Sequence, residues 1–350
     1  MEPTERKEQN ILVSVCCLAY NHEETVERTL KSVLEQKTDF RYEILIHDDA
    51  STDGTADIIR RYSERYPDRI RPILQKENQY SKGRVIFTDF ILPQVRGKYV
   101  AVCECDDFWR DPEKLQRQAD ALESHPDCSI CVHGTATVDR EGNPADLVFP
   151  PVPLPEGVLK AEDYLKMELE KGQWTFQLSS AMIHASTMEN FYRMKRGGFA
   201  EKFYHVGDLP MMLYCCTLGD FYYIDRVMST YTVDSGGFMS RLERDPEFAR
   251  RVYLGYVKGF REFDEFSDRR FHRYIMKGAL RKQFAADELD LKYDKIVHSP
   301  GYRFILRDRS PVQRFAYRVF ARFPAVARQY QKIKYKRRAA RLKQMRGDHS

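Results

Sequence analysis

Three acidic side chains crowd into the run Cys103-Glu104-Cys105-Asp106-Asp107-Phe108-Trp109, directly after a short apolar strand at Tyr99 to Val102. Carboxylates packed this closely repel one another unless a cation lies among them. A hard divalent ion with oxygen ligands, Mg²⁺ or Mn²⁺, suits such a site. A second acidic pair, Asp48-Asp49, follows the apolar run Tyr42 to Ile46, and Asp53-Gly54 then turns the chain toward a helix. Acids at the carboxyl ends of strands lie on the edge where open α/β sheets bind ligands, so one pair can accept hydrogen bonds from a base or ribose while the other holds a metal on phosphates. The alternative for either pair is a solvated loop whose acid caps the next helix.

Those acids need a sheet to carry them. Ile11 to Tyr20 is nearly continuous apolar sequence, as expected of a strand buried on both faces. A helix follows, with Val26, Leu30, Val33 and Leu34 on one side and Glu23 and Glu24 in its first turn. The strand ending at Asp48 leads to a helix with Ile59, Tyr62 and Tyr66 on one face, then a strand at Ile70 to Leu74, a helix from Val85 to Val95 and the strand before Glu104. This alternation predicts right-handed crossovers and an α/β fold, with a mostly parallel, Rossmann-like central sheet flanked by helices.

Beyond Asp107 the pattern predicts a helix over Pro112 to Ser124, a strand over Ser129 to Val138, a proline-rich connection from Phe149 to Pro155 and a strand over Ser179 to His184. A helix over Leu209 to Leu218 and two short strands, Phe221 to Ile224 and Val227 to Thr232, complete it, and the sequence from about residue 245 onward reads as helical. Neither Gly-x-Gly-x-x-Gly nor Gly-x-x-x-x-Gly-Lys-Ser/Thr occurs where a phosphate loop would need it, so phosphate charge must be met mainly by the cation.

At 350 residues and 42% hydrophobic content the chain can fill a proper core. No run approaches the roughly 18 apolar residues of a membrane span, and Met1 to Asn10 is charged where a signal peptide would be apolar, which reads as a cytoplasmic protein. The eight cysteines lie mostly in apolar segments and read as reduced thiols. Cys128-Ser-Ile-Cys131 has zinc-knuckle spacing, but Cys103 and Cys105 make an unsuitable partner pair, so no zinc site is expected. Residues 311–350 hold twelve Lys/Arg and one Asp, whereas residues 1–310 hold 45 basic and 51 acidic side chains.

Within that basic tail Phe315, Val319, Phe323, Val326, Tyr330 and Ile333 recur at helical steps, with Pro324 dividing two helices. Two readings stay open: an anchor on an anionic membrane surface, which would make the protein peripheral on the inner face of the cell membrane, or a stripe docked on the protein's own core with its charges in water. Nucleic acid is not an expected partner, since no reading module accompanies the basic tail. The sequence leaves the oligomeric state open.

Three ordered motifs, Val13-Ser-Val-Cys-Cys-Leu-Ala-Tyr-Asn21, Asp48-Asp-Ala-Ser-Thr-Asp-Gly54 and Glu104-Cys-Asp-Asp-Phe-Trp109, resemble the family 2 inverting glycosyltransferases of the GT-A fold over residues 11 to about 240. The resemblance implies a glycosyltransferase domain over 1–240, followed by a helical extension over 241–350. It implies that Tyr20, Asn21 and Asp49 hold a nucleotide and that Glu104-Cys105-Asp106 stands for the family's Asp-x-Asp motif. Asp106 would then contact the nucleotide-sugar, and Asp106 and Asp107 would carry Mn²⁺ or Mg²⁺. Glutamate in the first position is a departure from that pattern.

Val206-Gly-Asp208-Leu-Pro-Met resembles the stretch that supplies the family's catalytic base, which makes Asp208 the base; read without that resemblance, Asp208 is a cap of the helix starting at Leu209. Tyr231-Thr-Val-Asp-Ser-Gly-Gly237 resembles a later segment in which Asp234 replaces a frequent histidine, and Ser179-Ser180 resembles an acceptor-side strand. Trp109 and Trp174 could each stack on a sugar or plug the core. The implied activity is metal-dependent inverting transfer from a nucleotide-sugar, a UDP-sugar by preference, to a saccharide or lipid-linked saccharide in polysaccharide synthesis. The competing readings are a catalytically silent carbohydrate- or membrane-binding protein of the same fold and a sugar nucleotidyltransferase.

Overall fold

The computed structural model describes residues 11–139, 141–195, 197–203, 207–233 and 238–345. In chain order its first part comprises β1 (Ile11–Ala19), α1 (Val26–Leu34), β2 (Arg41–Asp48), α2 (Thr55–Arg65), β3 (Ile70–Leu74), β4 (Tyr99–Glu104), β5 (Phe108–Trp109) and α3 (Lys114–Ser124). There follow β6 (Cys128–Val138), β7 (Pro144–Phe149), β8 (Gly157–Leu159), α4 (Ala161–Leu165), β9 (Met182–His184), α5 (Ala185–Lys195), α6 (Asp208–Leu218) and β10 (Asp220–Thr232). The helical remainder is α7 (Phe238–Arg244), α8 (Pro246–Phe266), α9 (His272–Leu289), α10 (Tyr293–His298), α11 (Arg303–Arg307), α12 (Pro311–Arg322) and α13 (Pro324–Met345).

The chain divides into two compact units. The first holds the described residues of 1–164, 173–197 and 207–233, and the second those of 165–172, 198–206 and 234–350. One sheet forms the first unit, with strand order β3-β2-β1-β4-β9-β6-β10-β5 and with β7 and β8 on its flanks. The expected parallel crossovers build β3, β2, β1 and β4. Beyond β4 the sheet is mixed: β9 runs antiparallel to β4 and β6, while β10 is parallel to β6. Val13, Val15, Ile44, Ile46 and Ala101 from the first strands and Val26, Leu30 and Val33 from α1 share one buried cluster, which is why the helical stripe and the apolar strands were legible together. At the other end of these strands, buried Glu43 takes the Ser14 hydroxyl at 2.7 Å and the Arg96 and Arg71 guanidinium groups at 2.6 and 3.0 Å.

Several elements differ from their sequence expectations for local reasons. The expected helix Val85 to Val95 is a π-turn at Phe87–Ile91 followed by a 3₁₀ turn at Leu92–Gln94, as Pro93 cannot sustain an α-helical hydrogen-bond ladder. The two short strands after Phe221 are one strand, β10, whose register against β6 shifts between Ile224 and Val227, so Asp225-Arg226 form a bulge rather than a turn. Ser179 belongs to a 3₁₀ turn at Leu178–Ser180, and only Met182–His184 is strand. Phe149 closes β7 against β6 instead of opening a connection.

The second unit is all helical among its described residues. Phe203 packs on Phe260, with ring centroids 5.2 Å apart, and lies against Gly259, where any Cβ would collide with its ring. A further cluster gathers Phe284, Tyr293, Ile296, Tyr302, Ile305, Tyr317, Phe320 and Ala327. Ser310 caps α12 with a reciprocal capping box to Gln313, and Pro324 starts α13 as the sequence predicts.

Candidate active site

Strand register brings the acidic motifs to one edge of the sheet. Leu18 in β1 lies opposite Glu104 in β4, and Ala19 opposite Asp48 in β2, so Tyr20, Asn21, Asp49 and the Glu104–Asp107 run leave the sheet side by side. The loop after β4 is held by a polar stripe on α1 that runs alongside its apolar one. Thr25 donates to the Cys105 carbonyl at 2.7 Å, Thr29 to the Asp107 carbonyl at 2.5 Å, and the Ser32 hydroxyl accepts the Trp109 N–H at 3.0 Å. One turn further, Gln36 accepts from the Leu115 N–H at 3.0 Å and donates to the Asp111 carbonyl at 2.8 Å. Thr25 at the N-cap of α1, Thr29 and Ser32 within it are spaced by four and three, and Gln36 follows just past its end, so one side of α1 with its flanking residues fixes the acidic loop.

Within that loop Glu104, Asp106 and Asp107 place carboxylate oxygens within 4.8 Å of one another, the one cluster among the described residues able to hold a metal. Asp107 is buried, and one of its oxygens accepts the Thr232 N–H at 3.0 Å; the Thr232 hydroxyl donates to the Asp106 carbonyl at 2.5 Å. Burial and the neighbouring Asp106 and Glu104 charges push Asp107 well above the carboxylate range, against relief from Thr232 and the adjacent Ser179 hydroxyl. Burial, Asp106 and Asp208 raise Glu104 to about 8. Three hard oxygen donors, two of them pushed above the carboxylate range, are the chemistry a divalent ion resolves, so the donor set fits Mg²⁺ or Mn²⁺. The expected pair Asp106 and Asp107 is thus joined by Glu104.

Arg28 supplies a fixed positive charge nearby. Its guanidinium lies 4.2 Å from the Phe108 ring centroid and 3.5 Å from the Thr232 hydroxyl, and it feels the Asp107 and Asp106 charges against its own burial.

Asp208 opens α6 and is half-buried. Burial raises its carboxyl to about 6, opposed by the backbone N–H of Leu178. Tyr231 was not singled out from sequence, yet its phenol feels the charges of the site. Burial raises it first, and the charges of Asp107, Glu104, Asp106 and Asp208 raise it further, so it stays a neutral hydrogen-bond donor. Trp174 packs edge-on against Tyr231 with centroids 6.0 Å apart. The signal for Tyr231 was its place at the end of a strand, which only pairing with β6 brings to this rim.

The nucleotide-binding candidates divide. Tyr20 presents a ring 47% exposed, and Tyr80, on the loop after β3, is 56% exposed. Asn21 adopts φ 54°, and its side chain accepts the Thr52 N–H at 2.8 Å. Asp49 is buried, its carboxylate accepting the N–H groups of Gln79 at 2.7 Å and Tyr80 at 3.0 Å. The Asn21 and Asp49 side chains thus brace the loops that carry the two exposed tyrosines. Trp109 is a core plug: its indole N–H donates to the Ser179 carbonyl at 3.2 Å, and the buried Lys114 amine sits 4.0 Å from its ring centroid. All eight cysteines are buried and free. Asp234 lies outside the described residues.

A mixed α/β sheet that gathers three carboxylates, with a helix-borne acid beside them, has the architecture of the GT-A glycosyltransferases. Staphylococcus aureus TarS, solved in complex with UDP-GlcNAc, shares the fold at a TM-score of 0.52 and 16% identity, over 92% of each chain. The chain belongs to Glycosyl transferase family 2, whose profile matches residues 14–206. TuaG of Bacillus subtilis, a glycosyltransferase assigned to teichuronic acid biosynthesis, is 34% identical over 135 residues, 39% of this chain and 51% of TuaG. The Escherichia coli UDP-Glc:alpha-D-GlcNAc-diphosphoundecaprenol beta-1,3-glucosyltransferase WfaP is 37% identical over 98 residues, 28% of this chain and 36% of WfaP. The match therefore spans about half of one relative and about a third of the other.

Proposed function

We propose that this protein is a metal-dependent inverting glycosyltransferase that moves a sugar from a nucleotide-sugar, a UDP-sugar by preference, to a saccharide carried on a lipid diphosphate or on a growing glycan. The carrying observation is the Glu104, Asp106 and Asp107 oxygens within 4.8 Å of one another, with Asp208 close enough to raise Glu104. The names of TuaG and WfaP support the substrate class.

Tyr20 and Tyr80 offer faces for the base, on loops braced by Asn21 and Asp49. The carboxylates of Glu104, Asp106 and Asp107 would hold a divalent ion whose chemistry is to neutralise charge on the departing nucleoside diphosphate. Asp208 accepts the proton of the acceptor hydroxyl as that oxygen forms a bond to the anomeric carbon. The bond from that carbon to the diphosphate oxygen breaks, and its electron pair leaves with the diphosphate. A single displacement with one base inverts the anomeric centre. Tyr231, neutral and donating, orients the groups between base and diphosphate.

The test is a screen of nucleotide-sugars for Mn²⁺-dependent hydrolysis by the purified chain. An Asp208→Asn variant that binds UDP normally but turns over no donor is the expected result. Full turnover by that variant removes the base assignment, and no Mn²⁺-dependent UDP binding at all removes the transferase reading.

A further inference from the structure

The basic C-terminal helices use one set of apolar residues to dock and leave another uncovered. Tyr317, Phe320 and Ala327 are buried among Phe284, Tyr293, Tyr302 and Ile305, and Tyr317 donates to Glu288 at 2.7 Å while Gln331 donates to the Glu288 carbonyl at 2.7 Å. These contacts account for the folding of α12 and α13. Of the stripe the sequence marks out, Tyr330 joins them through Phe320, ring centroids 5.0 Å apart, and Val319 is half-buried, whereas Phe315, Phe323, Val326 and Ile333 are exposed.

Val312 is 77% and Phe315 66% exposed on α12, and Phe323, Val326, Tyr330 and Ile333 are each at least 42% exposed where α13 begins and along it. On α13, Val326, Tyr330 and Ile333 follow at steps of four and three, so they share one face. Arg314, Arg318, Arg322, Arg328, Lys332 and Lys336 lie exposed between them, and no acidic side chain interrupts residues 311–345.

We propose that these uncovered side chains of α12 and α13 dock on an anionic membrane surface, with the aromatic and aliphatic groups in the acyl boundary and the arginines and lysines among lipid phosphates. Apolar side chains exposed singly are ordinary, but six within residues 312–333, five on α12 and α13 and Phe323 between the two, amid basic residues make a mixed apolar and cationic surface of the kind anionic lipid attracts. A nucleic-acid face would need the cations but would gain little from exposed valine, phenylalanine and isoleucine. Among the described residues no helix is long and apolar enough to cross a membrane, so the contact is made on the surface. It goes beyond the transfer reaction and does not depend on it, although it would bring a lipid-linked acceptor to the enzyme.

The experiment is co-sedimentation of the full chain with phosphatidylcholine vesicles, with and without about a third phosphatidylglycerol, at low and high salt. Two variants accompany it: Phe315→Ser with Val326→Ser and Ile333→Ser, and Arg314→Gln with Arg318→Gln, Arg328→Gln and Lys332→Gln. All seven residues are exposed, and an unchanged circular dichroism spectrum and melting temperature report that each variant is folded.

The expected result is binding only to the anionic vesicles, weakened by salt, and reduced roughly tenfold or more in each variant. Equal binding to both vesicle types, or none, overturns the proposal. So does tighter binding to duplex nucleic acid that the apolar variant retains, or concentration-dependent self-association without vesicle binding. The assay contains no donor or acceptor, so its failure is distinct from failure of the transferase reading.

Discussion

Asp208 must be ionised to accept a proton, and its site works against ionisation. Burial raises it to about 6, above the ordinary aspartate range, with the Leu178 N–H limiting the rise. A raised acid is protonated, and inactive as a base, below that value, so turnover should fall about tenfold per pH unit below pH 6 and level off above it. Asp208→Asn should lower kcat by roughly 10²–10⁴-fold and abolish that limb in a pH–rate measurement. The sign for stability is opposite. A carboxyl whose folded pKa exceeds its unfolded one destabilises the fold as pH rises through that window, so the Asn variant should melt higher at pH 7, by on the order of 1 kcal/mol. Tyr231 gives a second residue-scale prediction. Tyr231→Phe keeps the ring against Trp174 and removes only the hydroxyl that feels the site's carboxylate charges, so kcat should drop about tenfold with UDP affinity unchanged. A drop in UDP affinity alone would place Tyr231 on the nucleotide instead.

At the scale of elements, the acidic loop is only as ordered as the helix face that holds it. Thr29 lies at the centre of the α1 polar stripe, fully buried, with its hydroxyl on the Asp107 carbonyl. Thr29→Val preserves shape and removes that bond, and supporting contacts of this kind typically tune metal affinity by roughly 10–100-fold. The expected outcome is weaker Mn²⁺ binding by calorimetry, about tenfold, in a protein that still folds; unchanged affinity would mean that Thr25 and Ser32 suffice. The spacing of α1 showed its apolar stripe directly, whereas the polar one was hidden. Threonine and serine in a helix carry no sign of their partner until the loop after β4 is laid across them.

At the scale of the molecule, Glu104 and Asp107, both held above the carboxylate range, oppose the folded state at neutral pH until a cation joins them. Mn²⁺ should therefore raise the melting temperature. At about a hundred times its dissociation constant the gain is about 2.7 kcal/mol, and Asp107→Asn should remove most of it. Calorimetric melting with and without Mn²⁺ reads this directly, and an unchanged midpoint would show that the cluster takes no ion.

By itself the sequence determined the acids that can hold a metal, because Glu104, Asp106 and Asp107 are neighbours in the chain and need only a strand end to converge. It also determined the parallel crossovers of β1 to β4, since apolar strands and amphipathic helices alternate there at readable periods. Tertiary structure alone decided what surrounds those acids. Thr232 and Tyr231 lie more than a hundred residues away and arrive through the pairing of β10 with β6, and the Leu178 N–H reaches Asp208 from a turn whose Ser179 and Ser180 read as strand. Tertiary structure likewise decided which side of the basic tail is covered. Both sets of side chains are apolar at helical spacing, and only the fit of Tyr317, Phe320 and Ala327 into the second unit's core leaves Phe315, Val326 and Ile333 facing outward.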